Sequence, residues 1–107
     1  MDEFSVSAAE QDSMVHVDVG GDVDLATADR FHAEVVPWIQ PGREVALDCA
    51  GVRFLDSTGL RVLLDLNHRA QESGGELVLV APSEAVSRVL DLAGVAALFT
   101  VRRPDAQ

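Results

Sequence analysis

The stretch from Val45 to Leu60 changes character part-way along and so fixes a local fold. Val45-Ala46-Leu47-Asp48-Cys49 is a short apolar run of the kind that makes a buried strand. Ala50-Gly51-Val52-Arg53-Phe54-Leu55 then leads through a turn to the tetrad Asp56-Ser57-Thr58-Gly59. Leu60, Val62, Leu63, Leu64 and Leu66 follow with an apolar helical pattern. A strand that feeds directly into a helix in this way sets one carboxylate and two hydroxyls at the helix start. Unpaired backbone N–H groups and a partial positive charge gather at that place. It can hold a phosphate, or be docked by a partner that senses whether one is present.

The flanking elements follow from period and punctuation. Phe4 to Ala9 alternates weakly and reads as an edge strand. Met14 to Val19 alternates more strongly, with Val15, Val17 and Val19 on one face. Gln11-Asp12-Ser13 is the turn between them, and the pair forms an antiparallel hairpin that Gly20-Gly21 is expected to end. Asp24 is the expected N-cap of a first helix whose apolar stripe is Leu25, Ala28, Phe31, Val35 and Ile39. Pro37 ends or kinks that helix near Val36. Glu44 to Cys49 is the next strand, and residues 59–72 are the second helix, closed by Ser73-Gly74-Gly75. Glu76 to Val80 is again a buried strand. Ser83 caps a third helix with Val86, Val89, Leu90 and Ala93 inward, and Gly94 ends it. Leu98 to Val101 is a last strand, and residues 102–107 are a frayed tail. The order β-β-α-β-α-β-α-β gives an α/β fold. It has a mixed sheet of about five strands, parallel neighbours joined by right-handed crossovers and an antiparallel edge from the first hairpin.

At 107 residues the chain is expected to be a single domain with its core in residues 4–101. Apolar runs fall well short of a membrane span, and Met1-Asp2-Glu3 lacks the basic-then-apolar pattern of a signal peptide. The expected location is the cytoplasm. A net charge of −10 repels nucleic-acid phosphates and favours either a basic protein partner or simple solubility. Every basic residue is Arg. The single cysteine, Cys49, has no disulfide partner and is expected to be a small buried core residue.

Asp48, Gly51-Val52, Phe54-Leu55 and Asp56-Ser57-Thr58-Gly59-Leu60 together resemble the signature of STAS domains, in particular the stand-alone bacterial anti-anti-sigma factors (anti-sigma factor antagonists). Gly21-Asp22-Val23-Asp24 with Thr27-Ala28, and Gly74-Gly75-Glu76-Leu77-Val78-Leu79, add to the resemblance. It implies the STAS fold. It also implies a protein that binds an anti-sigma factor with serine kinase activity, releases a sigma factor, and is switched off when that kinase phosphorylates Ser57. A serine phosphatase resets it. Thr58 occupies the following hydroxyl position and is a second candidate acceptor. Asp56 orients the Ser57 hydroxyl or is read by the kinase. The partner-binding set is Asp22, Asp24, Asp56, Ser57, Thr58, Gly59 and Leu60. Many members continue into a C-terminal helix, whereas this sequence stops soon after the last strand.

Two other readings stand beside this one. The first is a STAS scaffold or accessory subunit of a larger complex, such as a stressosome-like assembly or a lipid-transport ATPase. The second is an enzyme, which the residues disfavour. Ser57 sits in no Gly-x-Ser-x-Gly elbow, and none of His16, His32 and His68 is placed beside it by sequence. Scattered histidines without companion ligand spacing predict no metal site, and no Gly-rich phosphate loop predicts a cofactor.

Overall fold

The computed structural model describes residues 3–104. Strand β1 (Ser5–Gln11) turns through Asp12, whose φ of 58° is a left-handed conformation that Asp tolerates, into β2 (Met14–Val23). Then follow α1 (Ala28–Val35), β3 (Glu44–Leu55), α2 (Ser57–Glu72), β4 (Glu76–Val80), α3 (Glu84–Ala93) and β5 (Thr100–Arg102). The sheet order is β1-β2-β3-β4-β5, with β1 antiparallel to β2 and the other neighbours parallel. This is the α/β fold and mixed sheet that the sequence predicts.

Because the parallel strands lie side by side in chain order, right-handed crossovers put all three helices on one face. The core agrees. Val15, Val17 and Val19 of β2, Val45, Leu47 and Cys49 of β3, and Leu77 and Leu79 of β4 form one cluster with residues from each helix. Those helix residues include Phe31 and Val35, Leu63 and Leu66, and Val86 and Leu90. Ala46 and Val78 point the other way. They are also buried, and on that face Arg102 of β5 reaches across β4 to Glu44 of β3 at 3.1 Å. The aliphatic stem of an arginine covers apolar surface well.

Several boundaries differ from the sequence reading. Strand β2 does not end at Gly20-Gly21 but runs through them to Val23. Gly21 has φ 83°, and a Cβ there would lie 2.0 Å from the Glu3 carbonyl oxygen, so the strand continues only because this residue is glycine. Thr27, not Asp24, stands at the N-cap position of α1, and Leu25 is 78% exposed rather than part of the apolar stripe. Pro37 falls in a 3-10 turn, Val36–Trp38, that closes α1 as expected. Ser83 caps α3 by accepting from the Val86 N–H at 3.2 Å, and Gly94 ends it at φ 72°. Ala93 is exposed, since the last turn of α3 runs past the core. Ala96–Leu98 is a 3-10 turn, so the last strand starts later than expected. Arg102 belongs to β5, where its carbonyl accepts from the Ala81 N–H at 2.9 Å, and not to a frayed tail. The end of the expected tail, residues 105–107, and the N-terminal Met1-Asp2 lie outside the described residues.

Candidate docking site at the start of α2

Strand β3 is twice as long as its apolar run suggests, and its second half is irregular. Between the pairs Asp18↔Asp48 and Gly20↔Gly51, β3 takes one residue more than β2. The same happens between Gly21↔Val52 and Asp22↔Phe54. Each extra residue is a bulge that re-aims the side chains after it. Cys49, Val52 and Leu55 therefore all point into the core at a spacing of three, while Arg53 and Phe54 face solvent. Pairing with β4 has already ended at Asp48↔Val80, and the Ser83 N–H at the start of α3 donates to the Cys49 carbonyl at 3.3 Å. Cys49 is buried, and burial, with the nearby Asp48 charge, pushes its thiol up to about 12. It is the core residue that the sequence predicts.

The strand delivers its chain directly to α2. The Asp56 N–H donates to the Val23 carbonyl of β2 at 3.2 Å. Asp56 is extended (φ −103°, ψ −173°) and its Oδ1 accepts from the Gly59 N–H at 3.0 Å, which makes it the N-cap of α2. The helix thus begins at Ser57, two residues before the expected start. Ser57 is exposed, and its hydroxyl bonds to no described residue; the Asp56 carboxylate holds the helix end, not that hydroxyl. Thr58 and Leu60 are half-buried. Gly59 is buried for a steric reason: a Cβ would sit 2.5 Å from Leu55 Cδ1 and 2.9 Å from both Val23 Cγ1 and the Val23 carbonyl oxygen. The tetrad's glycine lets α2 press against the ends of β2 and β3.

The turn after β2 lies beside this helix start, because Val23 pairs with Leu55 and accepts from Asp56. Thr27 closes that turn. Its hydroxyl donates to the Asp22 carbonyl at 2.9 Å and accepts from the Asp24 N–H at 3.0 Å. Asp24 Oδ1 accepts from the Ala26 N–H at 3.0 Å, a local turn ahead of α1 rather than its N-cap. The fold therefore brings Asp22, Asp24, Asp56 and Ser57 to one end of the sheet. It adds two residues that the sequence reading did not select for this site: Leu25, just past Val23, and Phe54, the register partner of Asp22 and 50% exposed. Phe54 also lines an open groove of about 560 Å³ between β3 and α3, together with Arg53, Ser83, Arg88 and Val89.

The histidines lie elsewhere. His16 pairs with Asp18 at 3.4 Å, His32 with Asp65 at 2.6 Å, and His68 with Glu72 at 3.4 Å. Asp65 also accepts from Arg69 at 2.7 Å; the His32 and Arg69 hydrogen bonds hold its carboxyl below the usual carboxylate range. The parallel register sets Asp48 beside Asp18, so ligand atoms of His16, Asp18 and Asp48 lie within 4.8 Å of one another on the sheet face away from the helices. The sequence reading missed this group because the register between strands cannot be read from spacing along the chain. Among the described residues, no helix is long and apolar enough to cross a membrane.

A single exposed serine at a helix start, capped by Asp and set on a mixed sheet with its helices on one face, defines a class of small α/β domains. The sequence profile of the STAS domain matches residues 5–104, and the chain belongs to that family. It is 28% identical over 99 residues to the anti-sigma-B factor antagonist of Staphylococcus epidermidis, covering 92% of each chain. It superposes on an anti-sigma factor antagonist from Mycobacterium paratuberculosis with a TM-score of 0.82, at 24% identity, over 98% of this chain and 89% of that one. The Bacillus cell-fate determinant SpoIIAA in its phosphorylated form shares the fold, with a TM-score of 0.71 at 16% identity over 97% of this chain and 93% of that one.

Proposed function

We propose that this protein is an anti-sigma factor antagonist that binds its anti-sigma factor through the face around Ser57 and loses that partner when Ser57 is phosphorylated. The observation that carries the reading is an exposed Ser57 whose hydroxyl bonds to no described residue, at the same end of the sheet as the exposed apolar residues Leu25 and Phe54. The name of the staphylococcal relative and the existence of a phosphorylated form of SpoIIAA support it. In this reading the anti-sigma factor is also the serine kinase, and a serine phosphatase restores the bare hydroxyl. The protein acts by binding and is a substrate of that kinase rather than an enzyme. Asp22, Asp24, Asp56, Thr58, Gly59 and Leu60 shape the docking face, and Thr58, half-buried, is the lesser acceptor.

The physics is electrostatic. A neutral serine lies flat in an interface, whereas a phosphoserine brings about −1.5 to −2 charges at neutral pH. Asp22, Asp24 and Asp56 already make that end of the sheet acidic. Burying an added charge in an interface costs several kcal/mol unless the partner supplies a counter-charge. About 4 kcal/mol is roughly a thousandfold in affinity. Modification therefore leaves the fold intact and spoils one surface.

The test is a calorimetric titration of the cognate anti-sigma factor with bare and Ser57-phosphorylated protein, with mass-spectrometric mapping of the site in protein from the native host. We expect the phosphorylated form to bind on the order of a thousandfold more weakly. Equal affinities of the two forms would overturn the reading, and so would a host protein modified only elsewhere.

A further inference from the structure

We infer that Arg61 is the internal counter-ion for a phosphate on Ser57, so that modification places an anion on the docking face and withdraws a cation from it. The inference rests on the reading of Ser57 as the acceptor. Arg61 lies four residues after Ser57 on the same helix. Residues at that spacing have Cβ atoms about 5–6 Å apart on one face, and helical side chains lean towards the N-terminus. The Arg61 side chain is therefore within reach of the turn that carries Ser57. A guanidinium presents a planar fork that matches phosphate oxygens and gives short, charge-assisted hydrogen bonds.

Arg61 is also uncommitted. It is exposed and makes no hydrogen bond or ion pair with any described residue. Arg30, Arg43, Arg69, Arg88 and Arg102 each hold a carboxylate, from Glu34, Glu10, Asp65, Glu84 and Glu44 in turn. The acid one turn further along α2, Asp65, is already held by His32 and Arg69. Asp29 and His32 of α1 line the same shallow groove as Arg61 without pairing to it. The carboxylates Asp22, Asp24 and Asp56 at that end of the sheet repel a phosphate. Arg61, one helical turn after Ser57, is a cation placed to offset them. In the bare protein it stands on an acidic rim, available to a partner's carboxylate. Once Ser57 carries a phosphate it turns inward to that group.

The experiment uses the full chain with phosphoserine installed at position 57 by genetic encoding, and follows the second ionisation of the phosphate by ³¹P NMR. Arg61 favours the dianion, so the wild-type midpoint should lie about 0.2–0.4 pH units below that of Arg61→Ala. Arg61→Lys should keep most of the shift, and 1 M salt should remove most of it. Arg88→Ala, on α3 and paired to Glu84, should leave the midpoint in place. Coincident midpoints for wild type and Arg61→Ala would overturn the inference, as would an equal shift in Arg88→Ala. Such a failure would leave Ser57 as the acceptor untouched, because site mapping in the host protein tests that separately.

Discussion

The two halves of β3 run along one strand and behave differently. From Glu44 to Asp48 the strand pairs without interruption to β2 and β4, and Val45 and Leu47 drop into the core at a spacing of two. From Ala50 to Leu55 it has lost β4, carries two bulges and buries Val52 and Leu55 at a spacing of three. The regular half holds the sheet together. The bulged half turns Arg53 and Phe54 outward and aims the chain so that Asp56 caps α2 and Ser57 stands free. Regular pairing leaves every side chain committed to one face or the other. The bulges supply the exceptions from which a contact surface is built.

The largest expected effect tests the regular half. Leu47 is fully buried in the core cluster, so Leu47→Ala should lower stability by about 2–5 kcal/mol through lost burial and the cavity left behind. Urea unfolding followed by circular dichroism measures it. Gly59→Ala comes next and tests the join between the bulged half and α2. The added methyl meets Leu55 and the Val23 backbone at under 3.0 Å, so overpacking should cost about 1–3 kcal/mol. A neutral Gly59→Ala would mean that α2 can back away from β2 and β3 freely. The contrast between a rigid half and a precisely aimed half would then be lost.

This contrast also explains what could be read in the sequence. The hairpin, β4, the Ser83 cap and the Gly94 stop are written in period and punctuation, and the structure has them at or near the expected residues. The second half of β3 is not, because its apolar residues at 49, 52 and 55 fit no period-two strand. Gly20-Gly21 looked like a strand end, since a glycine at positive φ usually marks a turn; here it lets β2 pass the backbone at Glu3. The Asp56-Ser57-Thr58-Gly59 motif was legible as a helix start, but the helix begins two residues earlier than expected and the Asp56 carboxylate caps it rather than orienting the Ser57 hydroxyl. Its neighbours were not: Leu25 and the Asp22–Asp24 turn reach Ser57 through strand register and not through chain distance, and Phe54, three residues before Ser57, faces outward because of a bulge that no periodicity predicts. Arg61 was visible at a helical spacing from Ser57, but its freedom shows only once the partners of the other arginines are known.

The smallest expected effect on stability separates the halves most sharply. Phe54 is larger than Leu47 and lies on the same strand, but it is half exposed and outside the core cluster. Phe54→Ser should therefore change unfolding free energy by under about 1 kcal/mol. An exposed aromatic on a docking face is the kind of residue that carries binding energy, so the same substitution should weaken the anti-sigma factor complex by about tenfold or more. The paired measurement is urea unfolding beside calorimetric titration of that partner. A loss of several kcal/mol in stability with unchanged affinity would place Phe54 with Leu47 as a packing residue. The bulges would then serve to finish the core, and the docking face would have to lie on Leu25 and the turn after β2 alone.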